Sequence, residues 1–204
     1  MEGDQQADLV LELDQTDDSD PMLNWEELFG NTHPVEIEIG IGKGRFLIEV
    51  AQNHLQVNYI GIERAAKYLR LAQARSLRRD LKNIRLIRAD ALDFIEFFVP
   101  VESVSAIHLY FPDPWPKKRH HKRRLFNKSF LTEVERVLEN RGRLWIATDH
   151  QDYYVAMLEA LEGSSCLREI DLEWPMIKTN YEDKYISQGK VIHRRSLEKI
   201  RNKR

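Results

Sequence analysis

Glu38, Glu63, Asp90 and Asp113 each stand at the end of a short apolar run. The first sits in Glu38-Ile39-Gly40-Ile41-Gly42-Lys43-Gly44. Its glycines allow a tight turn and let a ligand approach the backbone closely. A dinucleotide-binding loop reads G-x-G-x-x-G and presents a helix N-terminus to a pyrophosphate. Here the third glycine comes one residue early, and Glu38 is poorly suited to an anion. A carboxylate at that point suits a cationic amino group, such as the methionine end of S-adenosylmethionine. Glu63 can accept from both hydroxyls of a ribose. Asp90, followed by Ala91, can accept from an adenine amino group. Any one of these acids could be no more than a helix cap. Three of them at successive strand ends point to a nucleoside cofactor.

A second constellation is Tyr110-Phe111-Pro112-Asp113-Pro114-Trp115-Pro116. Three prolines at alternate positions stiffen it, because each fixes its own φ and restricts its predecessor. Lys117-Lys118-Arg119-His120-His121-Lys122-Arg123-Arg124 follows at once. Cations beside an aromatic platform suit a nucleic acid, through phosphate neutralisation and base stacking. Trp115 either stacks on a target base or packs the loop against the core. His120 and His121 lack companions for a metal site and read as loop residues, so no metal is expected.

The elements that must position these residues alternate. Strands are expected at 35–39, 58–62, 84–88, 104–111 and 144–148, with helices after the glycine loop and over 65–80, 128–139 and 152–162. Asn127 caps the third of these helices and Gly142 follows its end. Arg70, Arg75, Arg78 and Arg79 lie off the apolar stripe of the 65–80 helix. Two further strands, 167–173 and 190–195, bring the count to seven. Alternation of this kind implies a mostly parallel sheet with helices on both faces, and ligands beyond the carboxyl ends of its strands.

Charge is split along the chain. All 31 Lys and Arg fall in residues 43–204 against 21 of the 33 acids, a net of +10, whereas residues 1–42 hold the other 12 acids. A basic body suits a polyanion. Residues 1–33 are expected to be a flexible acidic arm and connector, with Leu9-Val10-Leu11 as its one apolar patch, and 34–204 the functional domain. The single cysteine, Cys166, excludes an intrachain disulfide and a cysteine-rich zinc site. No apolar run approaches the ~20 residues of a membrane span, and no secretory signal is visible. These features fit the cytoplasm, with no membrane partner.

Phe-Pro-Asp-Pro-Trp-x-Lys-x-Arg-His, after Glu-Ile-Gly-x-Gly-x-Gly, resembles the bacterial tRNA (guanine-N7)-methyltransferases. Ala147-Thr148-Asp149 and Thr179-Asn180-Tyr181-Glu182 agree, and the resemblance covers residues 35–195. Tyr181 stands where Phe is more usual, and residues 1–20 match no motif of the family. The resemblance implies a class I, Rossmann-like S-adenosylmethionine-dependent methyltransferase fold. It also implies methylation of the variable-loop guanine, position 46, of tRNA. Glu38, Gly40, Gly42, Gly44, Glu63, Asp90, Ala91 and Asp113 would then contact the cofactor. Asp113 would be catalytic, gripping the guanine or the cofactor's amino group. Lys117, Asp149, Thr179, Asn180, Tyr181 and Glu182 would contact the substrate. Trp115, Arg119, His120, His121, Lys122, Arg123 and Arg124 would contact RNA. Arg194, Arg195, Lys199, Arg201, Lys203 and Arg204 either extend that basic track or form a solvated tail. Monomer and homodimer are equally compatible with the sequence.

Overall fold

Eight strands form one sheet in the order β1-β4-β3-β2-β5-β6-β8-β7. The computed structural model describes residues 9–11, 22–172, 174, 177 and 179–200. The strands are β1 (Val10–Leu11), β2 (Val35–Ile39), β3 (Asn58–Ile62), β4 (Ile84–Ile87), β5 (Val104–Tyr110), β6 (Leu138–Thr148), β7 (Leu167–Glu169) and β8 (His193–Lys199). The helices are α1 (Trp25–Phe29), α2 (Arg45–Asn53), α3 (Ala66–Leu77), α4 (Ala91–Phe98), α5 (Lys128–Val137), α6 (Gln151–Glu162) and α7 (Asn180–Ser187). A 3-10 turn spans Lys118–Arg123.

Side-chain alternation along the strands divides the core in two. Val35, Ile37 and Ile39 of β2 pack with α4, α5 and α6 through Phe94, Phe98, Phe130, Val134 and Met157. The opposite face takes α2 and α3 through Phe46, Leu47, Val50, Leu69 and Ala72. Glu36 and Glu38 point to this second face, because they alternate with the isoleucines. All pairings are parallel except those of β8, which runs antiparallel to both β6 and β7. The crevice lies where β2 pairs with β3 on one edge and β5 on the other, with Glu38 opposite His108.

Several expectations are corrected. The sheet has eight strands rather than seven, because Val10 and Leu11 pair with Leu86 and Ile87 at the edge. Leu9 is buried and accepts a backbone hydrogen bond from Leu86 at 2.7 Å. Within 1–33, the apolar patch 9–11 docks on the sheet edge, and the connector forms one short helix, α1, which packs on the core. Residues 1–8 and 12–21 lie outside the described residues. α4 was not expected, although its buried residues Ala91, Phe94, Ile95 and Phe98 recur at helical spacing with Asp93 and Glu96 on the other face. Asn127 does cap α5, accepting from the Phe130 N–H at 3.1 Å. α5 ends at Val137, and β6 starts at once, so Gly142 lies inside a strand rather than beyond a helix. β8 runs four residues past its expected end, its strand character masked by charged residues. Leu197 is buried there, and Lys199 threads its stem inward to donate to the Leu138 carbonyl at 2.6 Å.

Gly44 sets how closely α2 and α3 approach. It has φ +71°, and a Cβ there would lie 2.8 Å from the Ala72 Cβ and 3.3 Å from Ile48 Cδ1. Ile48 can turn its terminal methyl aside, but the Ala72 Cβ cannot yield without moving α3, and the positive φ itself strains any L side chain. Gly44→Ala should therefore cost about 1–3 kcal/mol, the usual cost of overpacking, read as a lower urea midpoint at unchanged slope. An unchanged midpoint would mean that the two helices have slack.

Candidate active site

The loop after β2 turns on three left-handed glycines, Gly40, Gly42 and Gly44. The Gly40 and Ile41 N–H groups donate to the Ile62 carbonyl at 2.8 and 3.1 Å, which pins the loop to the end of β3. Glu63 completes the turn. One carboxylate oxygen accepts from the Gly42 N–H at 2.9 Å and the other from the Ala65 N–H at 2.8 Å. Glu63 thus fixes the loop and caps α3, which has no side-chain cap of its own. Each oxygen keeps a lone pair, as recognition of a ribose diol requires.

Glu38 is the unusual group. It is 4 % exposed, and its Oε2 has no hydrogen-bond partner among the described residues. Burial pushes its carboxyl up to about 8, against the nearby Leu47 backbone N–H and with the help of Glu63. A buried acceptor without a donor is costly, and a cationic ligand removes that cost. Glu38 lines a cavity of about 240 Å³ together with Gly40, Gly42, Phe46, Tyr68, Tyr110, Thr179 and Tyr181. The chemistry of this cavity, with an acceptor in want of a cation, fits S-adenosylmethionine. Asp90 caps α4, accepting from the Leu92 N–H at 3.0 Å, and faces Arg64 at 3.3 Å. Its cap role is real, and Ala91 beside it is buried as the first residue of α4.

β5 runs directly into the proline loop. Phe111 and Trp115, each preceding a proline, have φ +52° and +44°. This left-handed backbone is rare for large side chains and costs of order 1–3 kcal/mol per residue. The Phe111 N–H donates to the Ala147 carbonyl at 2.7 Å, anchoring the loop's first residue. Asp113 is exposed and makes no hydrogen bond or ion pair among the described residues, so its carboxylate is free to take a ligand. Trp115 meets neither a core nor open solvent. Arg123 covers its ring at 4.9 Å, and His120 packs edge-on at 5.9 Å.

The basic run divides. Lys117, just before the 3-10 turn, and Arg119 and Lys122 on it are exposed, and Arg119 donates to His120 at 3.3 Å. His121 turns toward Asp152 at 3.8 Å. Arg124, expected on the RNA face, is buried instead at 6 % exposure. It donates to the Pro114 carbonyl at 2.8 Å and to Asp152 at 2.5 Å, with its guanidinium 4.8 Å over the Tyr153 ring. With all faces occupied, it fastens the loop rather than reaching RNA.

α7 covers the cleft. Thr179 caps it, accepting from the Glu182 N–H at 3.0 Å. The Glu182 carboxylate, also buried, is taken by Arg194, and Asp149 is taken by Lys190. Both acids were expected to meet substrate, and both are held by neighbouring cations. Asn180 opens α7. Tyr181 lines the cavity and stacks on Tyr185, and both rings lie near Phe111, at 6.4 and 5.4 Å. Asp183 pairs with Arg45 at the start of α2. Of the C-terminal cations, Arg195 sits 3.1 Å from Glu169, and Arg201, Lys203 and Arg204 lie outside the described residues. Sequence reasoning missed one buried array. His108 lies 2.9 Å from Glu36 through Nε2 and 2.8 Å from the Tyr110 hydroxyl through Nδ1. The signal was present as alternation, Glu36 and Glu38 on β2 and His108 and Tyr110 on β5. Among the described residues no helix is long and apolar enough to cross a membrane, and no cluster of three acids, histidines or cysteines could hold a metal.

Residues 32–195 match the family model described as a putative methyltransferase. The chain is 41% identical to the tRNA (guanine-N(7)-)-methyltransferase of Bacillus cytotoxicus, covering 84% of this chain and 82% of that one. It is 40% identical to the enzyme of the same name from Enterococcus faecalis, over 83% and 82% of the two chains. Among solved structures it resembles an rRNA methylase from Streptococcus thermophilus, with TM-score 0.57, 16% identity and coverage of 83% and 88%. It also resembles the aminoglycoside resistance methyltransferase NpmB1, with TM-score 0.58, 18% identity and coverage of 86% and 91%.

Two measurements test Glu38. At pH 7 the carboxyl is mostly protonated, and only its anion suits an ammonium group. Binding of S-adenosylmethionine should then release a proton, seen as a calorimetric enthalpy that depends on the buffer's ionisation heat. An enthalpy independent of buffer would mean that Glu38 is already ionised. A raised folded-state pKa in an acid makes stability fall as pH rises from the unfolded value toward about 8. Glu38→Gln should therefore raise Tm at pH 8 by a few degrees, since ~1 kcal/mol moves Tm by ~2–4 °C at this size, while cofactor binding is lost.

Proposed function

The chain belongs to the tRNA (guanine-N(7)-)-methyltransferase family, and on that premise we propose that it methylates N7 of the variable-loop guanine, position 46, of cytoplasmic tRNA. The observation that supports this reading is the chemistry of one cleft. Glu38 lies buried in its wall with one oxygen unpartnered, and Asp113, without a hydrogen bond or ion pair among the described residues, lies near Tyr181, which lines the same cavity, on the stiff loop before a cationic turn.

S-adenosylmethionine supplies the methyl group as a sulfonium, which leaves as a neutral thioether. Guanine N7 carries an in-plane lone pair and no proton, so no residue need act as a strong base. Transfer of the methyl would leave the guanine cationic. Asp113 has the chemistry to hold that guanine, accepting from N1–H and the exocyclic amine, and its charge favours the cationic product. Glu38 would hold the cofactor's amino group and Glu63 its ribose. Lys117, Arg119 and Lys122 neutralise phosphates, and Tyr181 closes the cleft. Thr179, Glu182 and Asp149 act by holding α7 in place.

The test is transfer of labelled methyl from S-adenosylmethionine to unmodified tRNA, with a variable-loop guanine-to-adenine variant as control. Label in the first and none in the second is expected. Label in both would move the target, and label in neither would overturn the reading. Asp113→Ala should lower turnover by at least ~10²–10³-fold, the scale of losing one transition-state contact, with an unchanged melting temperature. Near-normal turnover would remove Asp113 from the reacting centre.

A further inference from the structure

The buried array beside the cavity fixes the direction of one hydroxyl. Burial disfavours charge on Glu36, but hydrogen bonding to His108 and the positive charge around it hold the Glu36 carboxyl below its ordinary value. An ionised carboxylate only accepts, so Nε2 of His108, 2.9 Å away, carries a hydrogen. A neutral imidazole then has a bare Nδ1, which lies 2.8 Å from the Tyr110 oxygen and would accept from that hydroxyl, turning its hydrogen away from the ligand space. The ring is held as firmly as the hydroxyl. Phe46 packs edge-on against Tyr110 at 4.8 Å, and the His108 and Trp145 rings lie parallel at 6.5 Å.

Tyr110 lines the same cavity as Glu38. The register of β2 on β5 puts Glu38 opposite His108, two residues before Tyr110 on the same face. The unpartnered Oε2 of Glu38 and the remaining lone pairs of the Tyr110 oxygen thus serve one end of the cavity. Once Glu38 has given up its proton, the two oxygens are acceptors with no donor between them, as an ammonium group with three N–H donors requires.

We propose that Tyr110 is a further cofactor-anchoring residue, its hydroxyl turned by the Glu36–His108 pair so that a bare oxygen joins Glu38 in holding the cofactor's ammonium group. This rests on the methyltransferase reading of the cleft. His108 and Glu36 are positioning residues, acting on the ligand only through Tyr110. Burial also raises the Tyr110 phenol well above its ordinary value, so the hydroxyl keeps its hydrogen for His108.

The test compares calorimetric dissociation constants for two ligands. S-adenosylhomocysteine carries the amino-acid end, whereas 5′-methylthioadenosine keeps the nucleoside and thioether without it. Tyr110→Phe should weaken S-adenosylhomocysteine by about tenfold, the scale of one hydrogen bond to a charged group, and leave 5′-methylthioadenosine within about twofold. His108→Leu should weaken S-adenosylhomocysteine by a smaller factor, and the double variant should bind no worse than Tyr110→Phe alone, because the two act in series. Equal losses for both ligands would reduce Tyr110 to a packing role and overturn the proposal. So would unchanged affinity for S-adenosylhomocysteine, or full additivity of the two substitutions. If the wild-type protein bound neither ligand, the methyltransferase reading itself would fail, an outcome distinct from those of the variants.

Discussion

β2 pairs on both edges, with β3 on one side and β5 on the other, and the rest of the molecule follows from that. Chain order runs outward through β3 and β4, then returns across β2 to β5 and β6. Parallel strands need crossovers, and right-handed crossovers in two directions put helices on both faces. At the reversal the connections diverge and leave a crevice beyond the strand ends. Five residues of β2 build this: Val35, Ile37 and Ile39 join one core, while Glu36 and Glu38 face the other. No helix covers the carboxyl end of the second face completely, so the two acids meet different fates. Glu36 is satisfied by His108, and Glu38 is left for a ligand.

The cleft is closed by ion pairs rather than by apolar contact alone. Arg45–Asp183 ties α7 to the start of α2, Asp149–Lys190 ties the residues after α7 to the end of β6, and Glu182–Arg194 ties α7 to the start of β8. Exposed pairs contribute little to stability, but Glu182 is buried, so losing Arg194 would strand a charge. Such pairs specify position more than they add stability. The aromatic cluster of Phe111, Tyr181 and Tyr185 supplies the apolar contact between this lid and the proline loop. A ligand entering beneath α7 thus meets a cover built from the ends of the same strands that build its floor.

Much of this was legible in the residues. The glycine loop, the acids at strand ends and the proline loop all lie where periodicity put them, because parallel strands in a buried sheet announce themselves as short apolar runs between turns. What was not legible has particular causes. α4 is only eight residues long, two turns in which Ala91, Phe94, Ile95 and Phe98 carry the period, and β8 was hidden because its inward positions are shared by Leu197 and the stem of Lys199. Val10–Leu11 was too short to declare itself a strand, and only the unpaired edge of β4 gives it a place. Among the site residues, the side chains that hold them within the protein were not legible. Asp149, Glu182 and Arg124 look like ligand contacts in sequence, since nothing local says that Lys190, Arg194 and Asp152 will reach them. Those partners are 41, 12 and 28 residues away.

Arg124 shows why the distinction matters for recognition. A run of cations on a floppy loop must be ordered by its partner, at a cost of roughly 0.5–1.5 kcal/mol per immobilised side chain. Here the ordering is done in advance. Arg124 closes one end of the run on Pro114 and Asp152, and Arg123 lies over Trp115 near the other. Prolines at 112, 114 and 116 remove the freedom that remains in the loop between them. The cost is carried by the folded protein as left-handed backbone at Phe111 and Trp115. Lys117, Arg119 and Lys122 are then displayed on a turn already in its working shape. Two arginines of the run are spent holding the others, which is how a sequence that reads as uniformly basic becomes an oriented surface.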